Sequence, residues 1–233
     1  MHLYTEDDYF GSGQETGYAD YHTQEASLRQ TFRRFLGTLR QRGLAAGSLL
    51  EVGCGYGYFL DEAKPFFRCR TGLELSERAA SEARRLSGAQ VYVGDVSALP
   101  VEAAGFDLIV LINVIEHVYE PRGFLSMLHR RLGVGGCMII ATPDIGSFWY
   151  KLMGRRWPSF KIPEHVAYYT RSTLESLMRE TGHRRIEEIP FPHAFPLGLI
   201  AKKLGLGVPA PLSQKSLWLP HTMVALSGRA SDG

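Results

Sequence analysis

Residues Leu49 to Leu60 read LLEVGCGYGYFL, an apolar run that ends in an acid and opens into a turn with glycine at every second place. Leu49, Leu50 and Val52 suit a strand buried on both faces, as the strands of parallel sheets are. Gly53, Gly55 and Gly57 let the backbone turn sharply and approach a ligand with no Cβ in the way. Phe59 and Leu60 begin a helical pattern, whose first backbone N–H groups would face whatever sits on the turn. The stretch reads as a cradle for a nucleotide-type cofactor.

Outward from this cradle, strand-like and helix-like segments alternate. Leu49–Val52 is the first strand, and Tyr58–Lys64 is a short helix halted by Pro65. Cys69–Leu75 is a second strand closing at Glu74. Ser76 caps a helix that carries Ala79, Ala80, Ala83 and Leu86 at helical spacing. Gln90–Val93 is a third strand, ending at Gly94-Asp95, and Phe106–Ile112 (FDLIVLI) is a central one. Pro121–Leu132 is a helix ended by Gly133 and Gly135, and Cys137–Ala141 is a fifth strand stopped by Thr142-Pro143. Asp144–Tyr169 is irregular and aromatic. The next helix starts near Arg171, with Ser172 as N-cap, Glu175 completing a capping box and Gly182 at its end. Arg185–Pro190 and Met223–Leu226 are two final strands, and Phe191–Pro220 between them fits no compact element.

This alternation means an α/β fold, a doubly wound and mostly parallel sheet with helices on both faces and its ligand at the strand C-termini. One domain is expected over 1–233. An N-terminal cap (1–43) carries a helix from about Gln24 to Arg40, the cofactor-binding core follows (44–190), and an insertion (191–221) precedes the last strand.

Composition excludes several alternatives. The chain has 233 residues, 45% hydrophobic and 21% charged, which is enough for one large core. A formal net charge of +2 is too small to argue for nucleic acid as a partner. MHLYTEDDYF at the start is acidic and aromatic, unlike a signal peptide, and no run approaches the roughly 18 apolar residues of a membrane span. Cys54, Cys69 and Cys137 show no metal-ligand or disulfide pattern, so buried reduced thiols in a cytoplasmic protein are expected.

The glycine spacing narrows the cofactor. A dinucleotide fingerprint places its third glycine at position 58, where Tyr58 stands; the third glycine here comes one place early, at Gly57. Glu74, at the end of the second strand, can accept two hydrogen bonds from the vicinal hydroxyls of an adenosine ribose. The E-x-G-x-G-x-G of Glu51–Gly57, the acid Glu74, the Gly94-Asp95 pair and the strand FDLIVLINVIEHV resemble, over roughly 45–190, the class I S-adenosylmethionine-dependent methyltransferases.

That resemblance implies a seven-stranded sheet in the order 3-2-1-4-5-7-6, with an antiparallel seventh strand at Met223–Leu226. It implies S-adenosylmethionine as donor and S-adenosylhomocysteine as product. It places Gly53, Gly55 and Gly57 around the methionyl part and Glu51 in support of the loop. Glu74 would hold the ribose, Asp95 with Val96 the adenine edge, and Asn113 the backbone near the sulfonium. Leu75 is either core or the floor under the adenine.

The acceptor is far less legible: methyl transfer to a hydroxyl oxygen of a small molecule is expected, with transfer to nitrogen or carbon, or binding of S-adenosylmethionine without turnover, as alternatives. A hydroxyl acceptor needs its proton removed, and two histidines are candidate bases: His117 in NVIEHV and His165 in IPEHVAYYT. NVIEHV also resembles the E-x-x-E-H segment of ubiquinone-pathway O-methyltransferases, whose acids and histidine are associated with a divalent metal. Asn113 stands where the first acid would be, and hard divalent ions favour carboxylates, so no metal is expected. In Trp149–Tyr169 the aromatics suit either a pocket wall or packing under a loop, and Arg155 and Arg156 suit an acidic group on the acceptor. The P-x-H-x-x-x-[YF]-[ST] pattern of this region, PEHVAYYT at 163–170, resembles methyltransferases of bacterial glycan and small-metabolite pathways. Tyr4, Tyr9, Tyr18 and Tyr21 suit a lid or a packed cap. Leu197–Leu212 suits an acceptor lid, a homodimer contact or a membrane-touching hairpin.

Overall fold

The computed structural model describes residues 24–157, 159–162, 164–198, 201, 207, 209, 212 and 215–230. The strands in chain order are β1 (Ser48–Val52), β2 (Cys69–Glu74), β3 (Gln90–Val93), β4 (Phe106–Ile112), β5 (Leu132–Pro143), β6 (His183–Glu188), β7 (Ala194–Pro196), β8 (Ser216–Trp218) and β9 (Met223–Ala230). The helices are α1 (Glu25–Gln41), α2 (Tyr58–Glu62), α3 (Glu77–Ser87), α4 (Pro121–His129), α5 (Phe148–Met153) and α6 (Arg171–Glu180). Seven strands form one sheet in the order β3-β2-β1-β4-β5-β9-β6, and β9 runs antiparallel to both of its neighbours. It occupies the place expected of the seventh strand and extends to Ala230.

Adjacent residues of a strand point to opposite faces, so the apolar runs of the central strands serve two cores. Leu49, Leu108, Val110 and Ile139 face one side, against Phe32, Phe35, Leu36 and Leu39 of α1 and the buried faces of α2 and α3. Leu50, Val52, Ile109, Leu111, Met138 and Ile140 face the other, against Phe124, Leu125 and Leu128 of α4 and Leu174 and Met178 of α6. The sheet is held between two helical layers, with the loops after β1, β2, β4 and β5 at one end.

Helix α1 is fixed by charge as well as by packing. Arg29 bonds Glu25, Asp61 and Glu62 at 2.7–2.8 Å, tying α1 to the helix that follows the glycine turn. The Thr31 hydroxyl accepts the Ala194 N–H, and Arg34 lies 3.8 Å over the Trp218 ring, so α1 also carries the β7–β8 ribbon.

Several expectations need correction. Helix α4 stops at His129, and Gly133 and Gly135 lie within β5 rather than ending the helix. A Cβ at Gly133 would meet the Gly105 carbonyl at 3.0 Å, and one at Gly136 the Phe106 carbonyl at 2.6 Å, so glycine lets β5 start close beside that backbone. The N-cap of α6 is Thr170, boxed by Thr173, rather than Ser172 with Glu175. Strand β6 begins at His183, and Arg185, with φ 47°, lies where its pairing to β9 shifts register, which hid the strand's start. The Phe191–Pro220 stretch contains the β7–β8 ribbon, and Asp144–Tyr169 contains α5. Cys54 and Cys137 are buried, whereas Cys69, the first residue of β2, is exposed. Tyr4, Tyr9, Tyr18, Tyr21 and most of Leu197–Leu212 lie outside the described residues. Among the described residues, no helix is long and apolar enough to cross a membrane.

Candidate functional site

The glycine turn after β1 is held from two sides. Gly53 and Cys54 donate backbone N–H bonds to the Leu73 carbonyl of β2. The Glu74 carboxylate accepts from Gly55 N–H at 2.8 Å and from Ser76 N–H at 3.1 Å. Burial raises the Glu74 pKa, and the two backbone bonds oppose that shift by favouring the charged form. Each carboxylate oxygen keeps a further lone pair, so the hydroxyls of a ribose can still be accepted here.

All three glycines of the turn have positive φ (69°, 51° and 79°). Their surroundings differ. A Cβ on Gly53 would lie 2.6 Å from Val114 Cγ2, so glycine lets the turn close against the chain leaving β4. A Cβ on Gly57 would lie 2.9 Å from Ala83 Cα, so the absence of a side chain here lets the turn pack on α3. Glu51 is buried with Oε2 unpartnered among the described residues, and burial raises its pKa well above the ordinary carboxylate value, with Glu74 adding repulsion.

The residues expected to meet the adenine lie at and just after the ends of β2 and β3. Leu75 is 38% exposed, which excludes the core alternative and leaves an apolar platform beside Glu74. Asp95 caps a short 3-10 turn by accepting from Ser97 N–H at 2.8 Å. Val96 is buried in the core, so only its backbone is available to a ligand. Asn113 is exposed, adopts φ 53° and donates its N–H to the Ala141 carbonyl at the end of β4. Left-handed backbone at a non-glycine residue is uncommon and gathers at functional sites. An open backbone turn, a fixed carboxylate and an exposed apolar platform fit an adenosyl sulfonium donor.

Beyond Asn113 the chain makes a 3-10 turn, Ile115–His117, which delivers Glu116 and His117. His165 arrives from the segment between β5 and α6. That segment is pinned by Val166 and Ala167, which donate N–H bonds to the Glu116 carbonyl, and by His117 Nδ1–H, which donates to the Glu164 carbonyl at 2.8 Å. The two imidazole rings stand edge to face with centroids 4.7 Å apart. The Thr142 hydroxyl donates to Glu116 Oε2 at 2.8 Å, while Glu116 Oε1 and His165 Nδ1 are buried with no partner among the described residues.

Burial governs the protonation of this trio. The Glu116 carboxyl is pushed up to about 7, His165 is pushed down to about 3 with His117 adding repulsion, and His117 is lowered. One ligand-capable atom from each of the three residues lies within 4.8 Å of the others. By geometry the trio can hold a proton or a divalent ion, and His165 supplies from a distant segment the third group that Asn113 cannot. Glu116 is the functional candidate that sequence reasoning left out, although its acid stands in NVIEHV beside His117.

An aromatic series runs from the trio toward α5. His165 touches Tyr168 at 5.5 Å, Tyr168 stacks on Phe160 at 5.1 Å, and Phe160 meets Tyr150 of α5 at 5.9 Å.

A strand-ordered glycine turn, an acid after β2 and an antiparallel seventh strand define a Rossmann-like methyltransferase domain. Residues 21–188 match the family described as methyltransferase domain, and the chain belongs to it. It is 33% identical over 139 residues to a probable S-adenosylmethionine-dependent methyltransferase of Mycolicibacterium smegmatis, covering 59% of this chain and 52% of that one. The chain thus spans about half the length of that relative. It is 27% identical over 183 residues to the ubiquinone biosynthesis O-methyltransferase of Ruegeria pomeroyi, covering 74% and 72%. Among solved structures, a possible histamine N-methyltransferase of Thermotoga maritima superposes with a TM-score of 0.66 at 22% identity, covering 98% and 99%. Magnesium protoporphyrin IX methyltransferase of Synechocystis, with bound S-adenosylhomocysteine, gives 0.60 at 13% identity, covering 96% and 92%. At these identities the two structures show the shared fold.

Proposed function

We propose that the protein transfers a methyl group from S-adenosylmethionine to a hydroxyl oxygen of a small-molecule acceptor, with His165 removing the hydroxyl proton. The observation that carries this reading is the buried Nδ1 of His165, which has no partner among the described residues and lies beside His117 and Glu116 of the turn that follows β4. The donor supplies an electrophilic methyl group on a sulfonium.

The chain's own residues do the rest. Glu74 holds the ribose hydroxyls, Leu75 and the backbone at Asp95 and Val96 receive the adenine, and the backbone of the turn at Gly53 and Gly55, with Asn113, receives the methionyl part. Glu51 supports the turn from beneath. Methyl transfer is an in-line displacement, so holding the acceptor oxygen at attack distance is a large part of catalysis. Burial keeps His165 neutral at pH 7, so its lone pair is available. Glu116 ionises near pH 7, and its negative charge then favours the imidazolium that forms when His165 takes the proton. His117, fixed by its bond to Glu164, orients the His165 ring. Relatives named as ubiquinone biosynthesis O-methyltransferases support oxygen as the accepting atom.

The test is to incubate the protein with S-adenosylmethionine and a panel of phenols, aliphatic alcohols and amines, following S-adenosylhomocysteine and locating the new methyl by NMR. Methylation of phenols or alcohols that fails with His165→Ala supports the reading. Methyl groups found on nitrogen overturn it.

A further inference from the structure

Helix α5 exposes apolar residues on the side that an ordinary surface helix keeps polar. Its inward side carries Tyr150, which packs on Trp157 and Phe160. Its outward side carries Phe148 and Leu152, one turn apart and each 65% exposed, with exposed Lys151 between them. Ile162, 63% exposed, follows on the same segment. From Ile145 to Pro163 there is no acid, and the four charged residues, Lys151, Arg155, Arg156 and Lys161, are all basic and exposed. The chain as a whole is close to neutral at +2, so this concentration is local. Glu164 lies 3.9 Å from Lys161 and Asp144 is close enough to Lys151 to feel its charge, but Lys151, Arg155 and Arg156 form no ion pair among the described residues.

We propose that the exposed side of α5 and the segment that continues to Ile162, with Phe148, Leu152 and Ile162 among Lys151, Arg155, Arg156 and Lys161, dock on an anionic phospholipid surface. Exposed apolar side chains interleaved with cations match the boundary between lipid headgroups and acyl chains: the cations meet phosphates and the apolar groups enter the hydrocarbon edge. Two of the three apolar anchors are aliphatic, which suits acyl chains and offers nothing for stacked bases. The face also lies over the acceptor end of the sheet. Tyr150, Phe160 and Tyr168 join it to His165 in one aromatic series, so docking would place an amphiphilic molecule beside the site.

The test is co-sedimentation of the full chain with vesicles of phosphatidylcholine alone and of phosphatidylcholine mixed with phosphatidylglycerol in equal parts. Binding to the mixed vesicles, weakened by added salt and nearly absent on phosphatidylcholine alone, is the expected result. Lys151→Glu with Arg155→Glu and Arg156→Glu lowers partitioning about a hundredfold or more, from about one kcal/mol per cation. Phe148→Ser with Leu152→Ser lowers it while leaving the charge unchanged. Both variants change exposed side chains, and unchanged S-adenosylmethionine affinity by calorimetry shows that they fold. Failure of the wild type to bind mixed vesicles, or equal binding by folded variants, overturns the proposal. So does a face that instead retains single-stranded RNA, or a dimer that these substitutions dissolve on size exclusion. Vesicle binding is read without turnover, so this proposal stands or falls separately from the assignment of His165.

Discussion

His117 and His165 meet edge to face at 4.7 Å, although one leaves the end of β4 and the other comes from beyond β5. The contact is built by backbone: Glu116 receives two N–H groups and Glu164 receives the His117 ring N–H. A rigid frame of this kind presents His165 to an acceptor with little freedom to turn away, which is what a proton acceptor needs.

His165→Ala therefore lowers kcat by about 10²–10⁴ while leaving S-adenosylmethionine affinity near its wild-type value. Steady-state kinetics paired with calorimetry checks the split. Equal turnover in wild type and variant, at pH 7 and at higher pH alike, would remove His165 from the chemistry.

The pH dependence should follow Glu116. Its carboxyl, raised to about 7 by burial, is neutral below that pH and charged above it, so turnover rises as pH increases through 7. Glu116→Gln keeps the shape and removes the charge, and its profile should lose this inflection. A profile that survives the substitution would assign the inflection to another group.

A divalent ion with affinity for imidazole and carboxylate should inhibit. Zn²⁺ suits two histidines and an acid, and occupying the trio would take the His165 lone pair from the acceptor. Inhibition reversed by a chelator, with turnover restored to the metal-free level, is expected. If a chelator instead abolishes turnover and a divalent ion restores it, the trio is a resident metal site and the expectation of none fails.

Glu74→Ala removes the charged ribose acceptor and also unties Gly55. It should weaken S-adenosylmethionine by about 1.5–3 kcal/mol, about tenfold to a hundredfold or more, by calorimetry. Gly57→Ala has a different signature. Its Cβ would crowd Ala83 at φ 79°, which should cost about 1–3 kcal/mol of stability in urea unfolding. Donor affinity should change far less in that variant.

Acid stability should show the buried imidazoles. His193 is pushed down to about 3 and His183 to about 4 by burial, with His129 adding repulsion to His183. Between about pH 6.5 and 4 the unfolded chain binds these protons and the folded chain does not, so their contribution to stability falls as pH falls. His193→Gln can keep the bond to Thr222 and removes one such group. The melting temperature of the variant should fall less steeply than that of the wild type across this window. Parallel slopes would count against a neutral buried His193.

Strands β1, β4 and β5 were legible because burial on both faces demands apolar runs, as in FDLIVLI and CMIIA. What was misread depended on contacts distant in sequence. Gly133 and Gly135 look like a helix stop until Gly105 is seen beside them, and Ser172 looks as good a cap as Thr170 until the hydroxyl's partner is known. The residues proposed for the donor were legible as a spaced motif on strand ends. The trio proposed for the acceptor side was half legible: His117 and His165 stood out as titratable, but the stranded oxygen of Glu116 belongs to burial, which no spacing encodes.

The bond from Gly55 N–H to Glu74 is made within the chain itself, between the turn and the end of β2. Contacts of the fold therefore set the turn's conformation, and if the donor binds there as proposed, its capture should demand little further ordering. Association at this turn should resemble a key entering a cut lock, with a small entropic penalty and little dependence of the on-rate on loop closure.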